Sequence, residues 1–235
     1  MSLPIVPSPA HSTNTWSRGG QKIEYIVLHY VGAVSTARNN GAYYGGTPNI
    51  GASAHFFVDE HDVVSSVPEN LSAGHCGVDY SGGRAPYWGR CRNKNSIGIE
   101  MCCKKDPRGN WYIEHETIRK TAALTRDLMA KYNIDADHVV RHYDVCWKTC
   151  PEPWVREEQQ WKAFKARLTA AESEEEEMVR YQTIADMPGH YRDEARRLIE
   201  RGALRGRDGG NLDLSEDMLR TMIVCQRMID GEAGA

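Results

Sequence analysis

The sequence predicts an α/β fold, a mixed central β-sheet flanked by helices, with a small helical C-terminal unit behind it. Three observations predict it. Short runs rich in β-branched and aromatic residues alternate with segments whose apolar residues recur at helical spacing. One run, Lys22-Ile23-Glu24-Tyr25-Ile26-Val27-Leu28-His29-Tyr30-Val31, reads as a buried central strand. An acidic run, Ser173-Glu174-Glu175-Glu176-Glu177, separates this alternating stretch from two short helical patterns.

In chain order, residues 1–21 are rich in Pro, Ser, Thr and Asn and read as an irregular leader. The central strand follows and ends at Gly32. Residues 33–52 carry many Gly and Asn and hold one short helix within a loop. Ser53 to Val58 and Val63 to Val67 read as strands joined by Asp59-Glu60-His61-Asp62, a hairpin. Residues 70–95 are Gly-rich and aperiodic, and a loop that long in a compact domain is expected to wall a cleft. Asn95 to Cys103 resumes strand character. From Glu114 to Tyr132, apolar Ile118, Ala122, Leu128, Met129 and Tyr132 mark an amphipathic helix of about five turns. His138 to His142 reads as a short strand, and Pro153 onwards as helix to roughly Glu172.

The expected division is a leader 1–21, a catalytic domain 22–170, an acidic linker 171–185 and a helical unit 186–235. That last unit pairs Tyr191–Arg201, with Ala195, Leu198 and Ile199, against Ser215–Ile229, with Met218, Leu219, Met222 and Ile223. Gly206, Gly209 and Gly210 supply the turn between them. About 50 residues make a marginal core, so the unit is expected to bind a surface or to pair with a second copy as a homodimer.

Composition excludes some functions. The 235 residues are 40% hydrophobic and 26% charged, ordinary for a folded soluble chain. A net charge of −3 without a basic stripe argues against a nucleic-acid partner. No run reaches the ~18 apolar residues of a membrane span. Met1 to Pro9 lacks a basic n-region and an apolar h-region, so the expectation is a cytoplasmic product without a signal. Seven cysteines, an odd number, then favour reduced thiols that are buried, catalytic or metal-bound.

The chemistry concentrates in Arg141-His142-Tyr143-Asp144-Val145-Cys146-Trp147-Lys148-Thr149-Cys150-Pro151. A His and a Cys eight residues apart, on a strand end and its following loop, can converge on one cation. His29, near the end of the central strand, would complete a His₂Cys set. Three ligands and an open fourth position describe a catalytic zinc, and the donors suit Zn²⁺ better than Mg²⁺ or Ca²⁺. Spacing alone leaves His29 open between a hydrogen-bonded core residue and a ligand.

Four runs occur here in order: Ile26-Val27-Leu28-His29-Tyr30, Ser53-Ala54-His55-Phe56, Asn95-Ser96-Ile97-Gly98-Ile99-Glu100, and His142 with Lys148-Thr149-Cys150-Pro151. In that order they resemble the type 2 N-acetylmuramoyl-L-alanine amidases, which include phage endolysins and are related to peptidoglycan recognition proteins. The resemblance covers about residues 20–165. It implies an amidase-like fold, a zinc cofactor, and a peptidoglycan or muropeptide partner that is cut between the muramoyl lactyl group and L-alanine. It implies His29, His142 and Cys150 as zinc ligands, Lys148 as the cation that meets the oxyanion, and Glu100 as general base. Ala54 stands where other branches of the family carry a tyrosine, which moves the base role onto Glu100. His75 matches a cleft-wall histidine that contacts substrate. Tyr30 and Asn95, within the matched runs, are assigned with it to substrate binding.

Other readings stand beside these. His55 reads as structural and His61 as solvent-exposed, while His138 is the rival ligand to His142. Cys102 and Cys103 read as a buried and a half-buried strand pair. Cys76 and Cys91 would form a loop disulfide in an exported protein. Cys146 is left free, because a second thiolate would close the metal site. Trp147 and Trp154 line the cleft or pack. The Gly202–Leu212 stretch faintly resembles a wall-binding, S-layer-homology-like segment. The rival functions are a non-catalytic peptidoglycan-recognition module and a structural metalloprotein closed by His29, His142, Cys146 and Cys150. The lack of a signal favours a phage or prophage endolysin.

Overall fold

A computed structural model describes residues 3–169, 180–205, 212 and 214–229, in two compact units divided between Ala170 and Ala171. The acidic run Ser173–Glu177 and the glycine turn from Gly206 to Gly210 lie outside the described residues.

The leader is ordered, which corrects the expectation of an irregular segment. β1 (Ile5–Pro7) adds a parallel strand at the edge of the main sheet, against Val63–Ser65. An edge is where a segment carrying Pro4, Pro7 and Pro9 can sit, since proline donates no ladder hydrogen bond. β2 (Thr15–Ser17) pairs antiparallel with Leu71–Ala73. Arg18, buried beyond it, donates to the carbonyls of Glu69 (2.7 Å), Lys94 (2.9 Å) and Ser96 (3.1 Å) and approaches His55 Nε2 at 2.8 Å.

β3 (Tyr25–Val34) is the central strand. α1 (Ala37–Gly46) starts at Thr36, whose hydroxyl accepts from Asn39 N–H, the usual N-cap bond. β4 (Phe56–Val58) and β5 (Val63–Ser65) form the expected hairpin. Asp59 holds its turn by accepting from His61 and Asp62 N–H, and its other oxygen accepts from Ala37 N–H at the start of α1. β6 (Leu71–Ala73), β7 (Ser96–Lys105) and β8 (Trp111–Tyr112) follow, then α2 (His115–Tyr132). β9 (Val139–Arg141) is one residue shorter at each end than the strand expected there, because His142 opens α3 (His142–Cys146). The helix expected from Pro153 is two, α4 (Glu152–Arg156) and α5 (Glu158–Thr169).

The main sheet runs β1-β5-β4-β7-β3-β9, with β8 on β7. β4, β7, β3 and β9 are mutually parallel and β5 is antiparallel to β4, so the sheet is mixed. Alternation along the strands separates two faces. Ile26 and Leu28 of β3 with Ile97, Ile99 and Met101 of β7 pack under α2 and α5 through Ala122, Leu124, Leu128, Trp161, Phe164 and Leu168. The other face carries Val27 and His29 of β3 beside Gly98 and Glu100 of β7, in register Val27↔Gly98 and His29↔Glu100.

The second unit has its own elements: β10 (Arg180–Tyr181), α6 (Gly189–Glu200), β11 (Leu214–Ser215) and α7 (Glu216–Ile229). β10 and β11 pair antiparallel, and Tyr181, Met187, Ala195, Leu198, Leu214, Leu219 and Ile223 make a small buried core. No described helix is long and apolar enough to cross a membrane.

Candidate metal centre

Strand register and the corner that follows β9 bring the cluster together. The parallel register Leu28↔Arg141 places His142 beside His29, with ring centroids 4.5 Å apart. Arg141 anchors this corner: it grips Asp144 through Nε (3.1 Å) and Nη2 (2.9 Å), and Nη1 donates to Trp154 O and Glu158. Trp147 then leaves α3 in a left-handed conformation (φ 63°), reversing the chain. Tyr143 N–H donates to Cys150 O at 2.9 Å, which closes the eight-residue spacing and returns Cys150 to the start of α3.

His29, His142 and Cys150 are buried, and one ligand atom from each lies within 4.8 Å of the others. Cys150 Sγ stands 3.7 Å from His29 Nδ1, and Glu100 Oε1 stands 4.0 Å from the same nitrogen. Both ring nitrogens of His142 are buried without a hydrogen-bond partner, and so is Glu100 Oε2. Orphaned buried polar atoms on this scale normally have a partner. A cation is the partner that suits two neutral imidazoles and a thiol.

The electrostatics agree. Burial, then the neighbouring His142 and His75, holds His29 well below the ordinary imidazole range. Burial followed by the Lys148 charge pushes His142 down to about 3. Both rings are therefore neutral, the form that binds metal. Burial raises Glu100 to about 8 against the opposing pull of Lys148. Burial and the Glu100 charge push the Cys150 thiol up, a preference that a coordinated cation reverses.

The remaining assigned residues divide. Lys148 is exposed on the loop, and its charge is felt at His29, His142 and Glu100. His75 does come to the cluster, but against a ligand: its Nδ1 lies 3.0 Å from His29 Nε2 and its Nε2 lies 3.1 Å from Ser96 Oγ. Both ring nitrogens therefore have protein partners. Tyr30 lies apart from the cluster. As the neighbour of His29 in a strand it points to the opposite face, packs on the helix-side core and donates to Glu152 Oε2 at 3.1 Å. Asn95 precedes β7, about 16 Å along the strand from Glu100. Its amide donates to Glu24 Oε2 and Arg90 O and its oxygen accepts from Arg92 N–H, so it builds the turn and does not reach the cluster.

The rival candidates lie apart from the cluster. His138 is half-buried and held by Asp135 at 2.6 Å. Cys146 turns its thiol to His142 O (3.6 Å), outside the cluster, so among the described residues no fourth protein ligand joins the three. His55 is fully buried and bonded to Gly98 N–H, and His61 is exposed, as expected. Cys102 and Cys103 are both buried, and Cys76 and Cys91 are buried free thiols. Trp154 packs in the core, whereas Trp147 is exposed with Arg84 over its ring.

The N-acetylmuramoyl-L-alanine amidase family profile matches residues 19–153. The chain belongs to that family. A probable N-acetylmuramoyl-L-alanine amidase of Bacillus licheniformis is 37% identical over 162 residues, 66% of this chain and 44% of that protein. N-acetylmuramoyl-L-alanine amidase BlyA of Bacillus subtilis (strain 168) is 35% identical over 170 residues, 67% and 45% of the two. A mutant endolysin from Bacillus subtilis superposes with TM-score 0.55 at 26% identity, covering 71% of this chain and 99% of that one. The chain thus spans less than half the length of these two curated relatives. Every clustered residue of this amidase-family chain lies within the matched stretch.

Proposed function

We propose that this chain is a zinc-dependent amidase that hydrolyses the bond between the lactyl group of N-acetylmuramic acid and the first L-alanine of the peptidoglycan stem peptide. One observation carries the reading: a complete His₂Cys donor set with an unpaired carboxylate beside it and a cation on the adjoining loop. A non-catalytic recognition module needs neither the third ligand nor the carboxylate.

His29, His142 and Cys150 would hold the metal, and one thiolate with two imidazoles suits Zn²⁺. When bound, zinc supplies Lewis acidity toward water and the scissile carbonyl. Glu100, ionised once a bound cation offsets the burial that keeps it protonated, would take a proton from the attacking water through Oε2 and deliver it to the leaving alanine nitrogen. Lys148 meets the negative charge that develops on the carbonyl oxygen, a contribution of about 3–4 kcal/mol where one such donor is lost.

The relatives are named as amidases and the matched structure as an endolysin, which supports a phage or prophage lytic enzyme that reaches the wall after release. The second unit is proposed as a wall-docking module. Purified cell walls treated with the zinc-loaded chain should gain free L-alanine amino termini. New reducing sugar ends without new alanine termini would overturn the proposal.

A further inference from the structure

A line of hydrogen bonds with a single direction runs from the backbone of Arg92 to His29. A carbonyl oxygen only accepts, so the Ser96 hydroxyl donates to Arg92 O at 2.7 Å. With its one proton placed there, Ser96 Oγ accepts from His75 Nε2 at 3.1 Å. In a neutral imidazole with a protonated Nε2, Nδ1 is an acceptor, and His29 Nε2 lies 3.0 Å from it. His29 is then protonated on Nε2 alone. Its Nδ1 lone pair is turned to the side where Cys150 Sγ and Glu100 Oε1 stand, 3.7 Å and 4.0 Å away.

We propose that His75 is a positioning residue, and that the Arg92–Ser96–His75 relay selects the tautomer and ring orientation in which His29 presents Nδ1 to the metal; this rests on the ligand assignment proposed above. The second observation is the seat of the ring. His75 lies on β7 at Gly98, where an added Cβ would come 2.7 Å from its Cγ. Only glycine lets the ring lie that close to the strand. The backbone is clamped as well: Asn93 Oδ1 accepts from the N–H groups of both His75 (3.1 Å) and Cys76 (2.8 Å). The rings of His75 and His29 meet edge to face with centroids 5.1 Å apart. A side chain held by its backbone, its ring face and both nitrogens is built to fix a neighbour. Outer partners of metal-bound histidines act in this way, and their loss typically weakens metal binding 10–100-fold.

The test uses the full chain and two readouts. Long-range ¹H–¹⁵N correlation on the metal-free protein should show His29 protonated at Nε2, and Ser96→Ala should mix in the other tautomer. Zinc affinity, measured by competition with a chromophoric chelator, should fall about 10–100-fold in His75→Phe and in Ser96→Ala. His75→Gln, which keeps an acceptor for His29 Nε2, should recover most of that loss. A wild-type His29 protonated at Nδ1, or unchanged zinc affinity in both Ser96→Ala and His75→Phe, would overturn the relay. A wild-type chain that binds no zinc would instead overturn the ligand assignment, and the tautomer measurement would still decide the relay.

Discussion

His142 is an imidazole with two buried nitrogens and no partner for either, a cost of about 1–3 kcal/mol per orphaned group unless a ligand satisfies it. Wild-type protein should therefore bind one zinc per chain and melt at a higher temperature with it, since a ligand of the folded state adds its binding energy to stability. His142→Ala and Cys150→Ser should each lose the metal, and full zinc retention by both would reject the ligand set. At Glu100 the expectation separates chemistry from folding. Glu100→Gln should keep zinc and the fold while alanine release falls by about 10²-fold or more. The metal-free protein offers a second check. Glu100 is raised to about 8 in the folded state from 4.5, so the unfolded chain ionises first as pH rises. Wild-type stability should then fall between pH 4.5 and 8 relative to Glu100→Gln, the two converging near pH 4.5. Equal denaturant midpoints across that range would show that Glu100 is not held protonated.

Among the elements, β3 and α2 were legible because their signals are local: an apolar run and a stripe at helical spacing. The strands that escaped notice, β1, β2, β6 and β8, have two or three residues each, and the first three pair with partners some 55 residues away in sequence, which no window of periodicity detects. The leader shows the consequence. Arg18 reads as one more polar residue of a loop, yet it satisfies the carbonyls of Glu69, Lys94 and Ser96. Arg18→Ala should destabilise the protein by about 3 kcal/mol, read from urea unfolding, because buried acceptors lose their donor. A change below about 0.5 kcal/mol would mean that water replaces the guanidinium. Tyr30 faces away from His29 for an elementary reason: adjacent residues of a strand point to opposite faces.

At the scale of the whole molecule, the buried clusters divide the chain. Among the described residues, three of them draw only on residues up to Leu168 and the fourth only on residues from Tyr181 onward. A chain ending at Ala170 should fold, bind zinc and cleave soluble muropeptides at the full-length rate. On intact walls it should be slower, since a tethered second site raises the local concentration of substrate without new chemistry. Muropeptide and wall assays run side by side, with solution mass, check this. Equal wall activity would remove the docking role, and a truncated protein that aggregates would show that the second unit covers an apolar surface.

Residue types, order and spacing by themselves determined the fold class, the hairpin and the long helix, and they nominated His142 and Cys150 as a ligand pair; His29 and Glu100 were singled out by the resemblance of the four ordered runs to the amidases. Those signals are properties of short stretches or of fixed chemistry, so they survive without coordinates. Tertiary structure decided what each side chain faces. It ordered the leader, sent Tyr30 to the far side of the sheet, kept Asn95 in its turn and set His75 behind His29, on the bare surface of Gly98. These outcomes depend on pairing register and on contacts between distant segments, and a linear sequence carries neither.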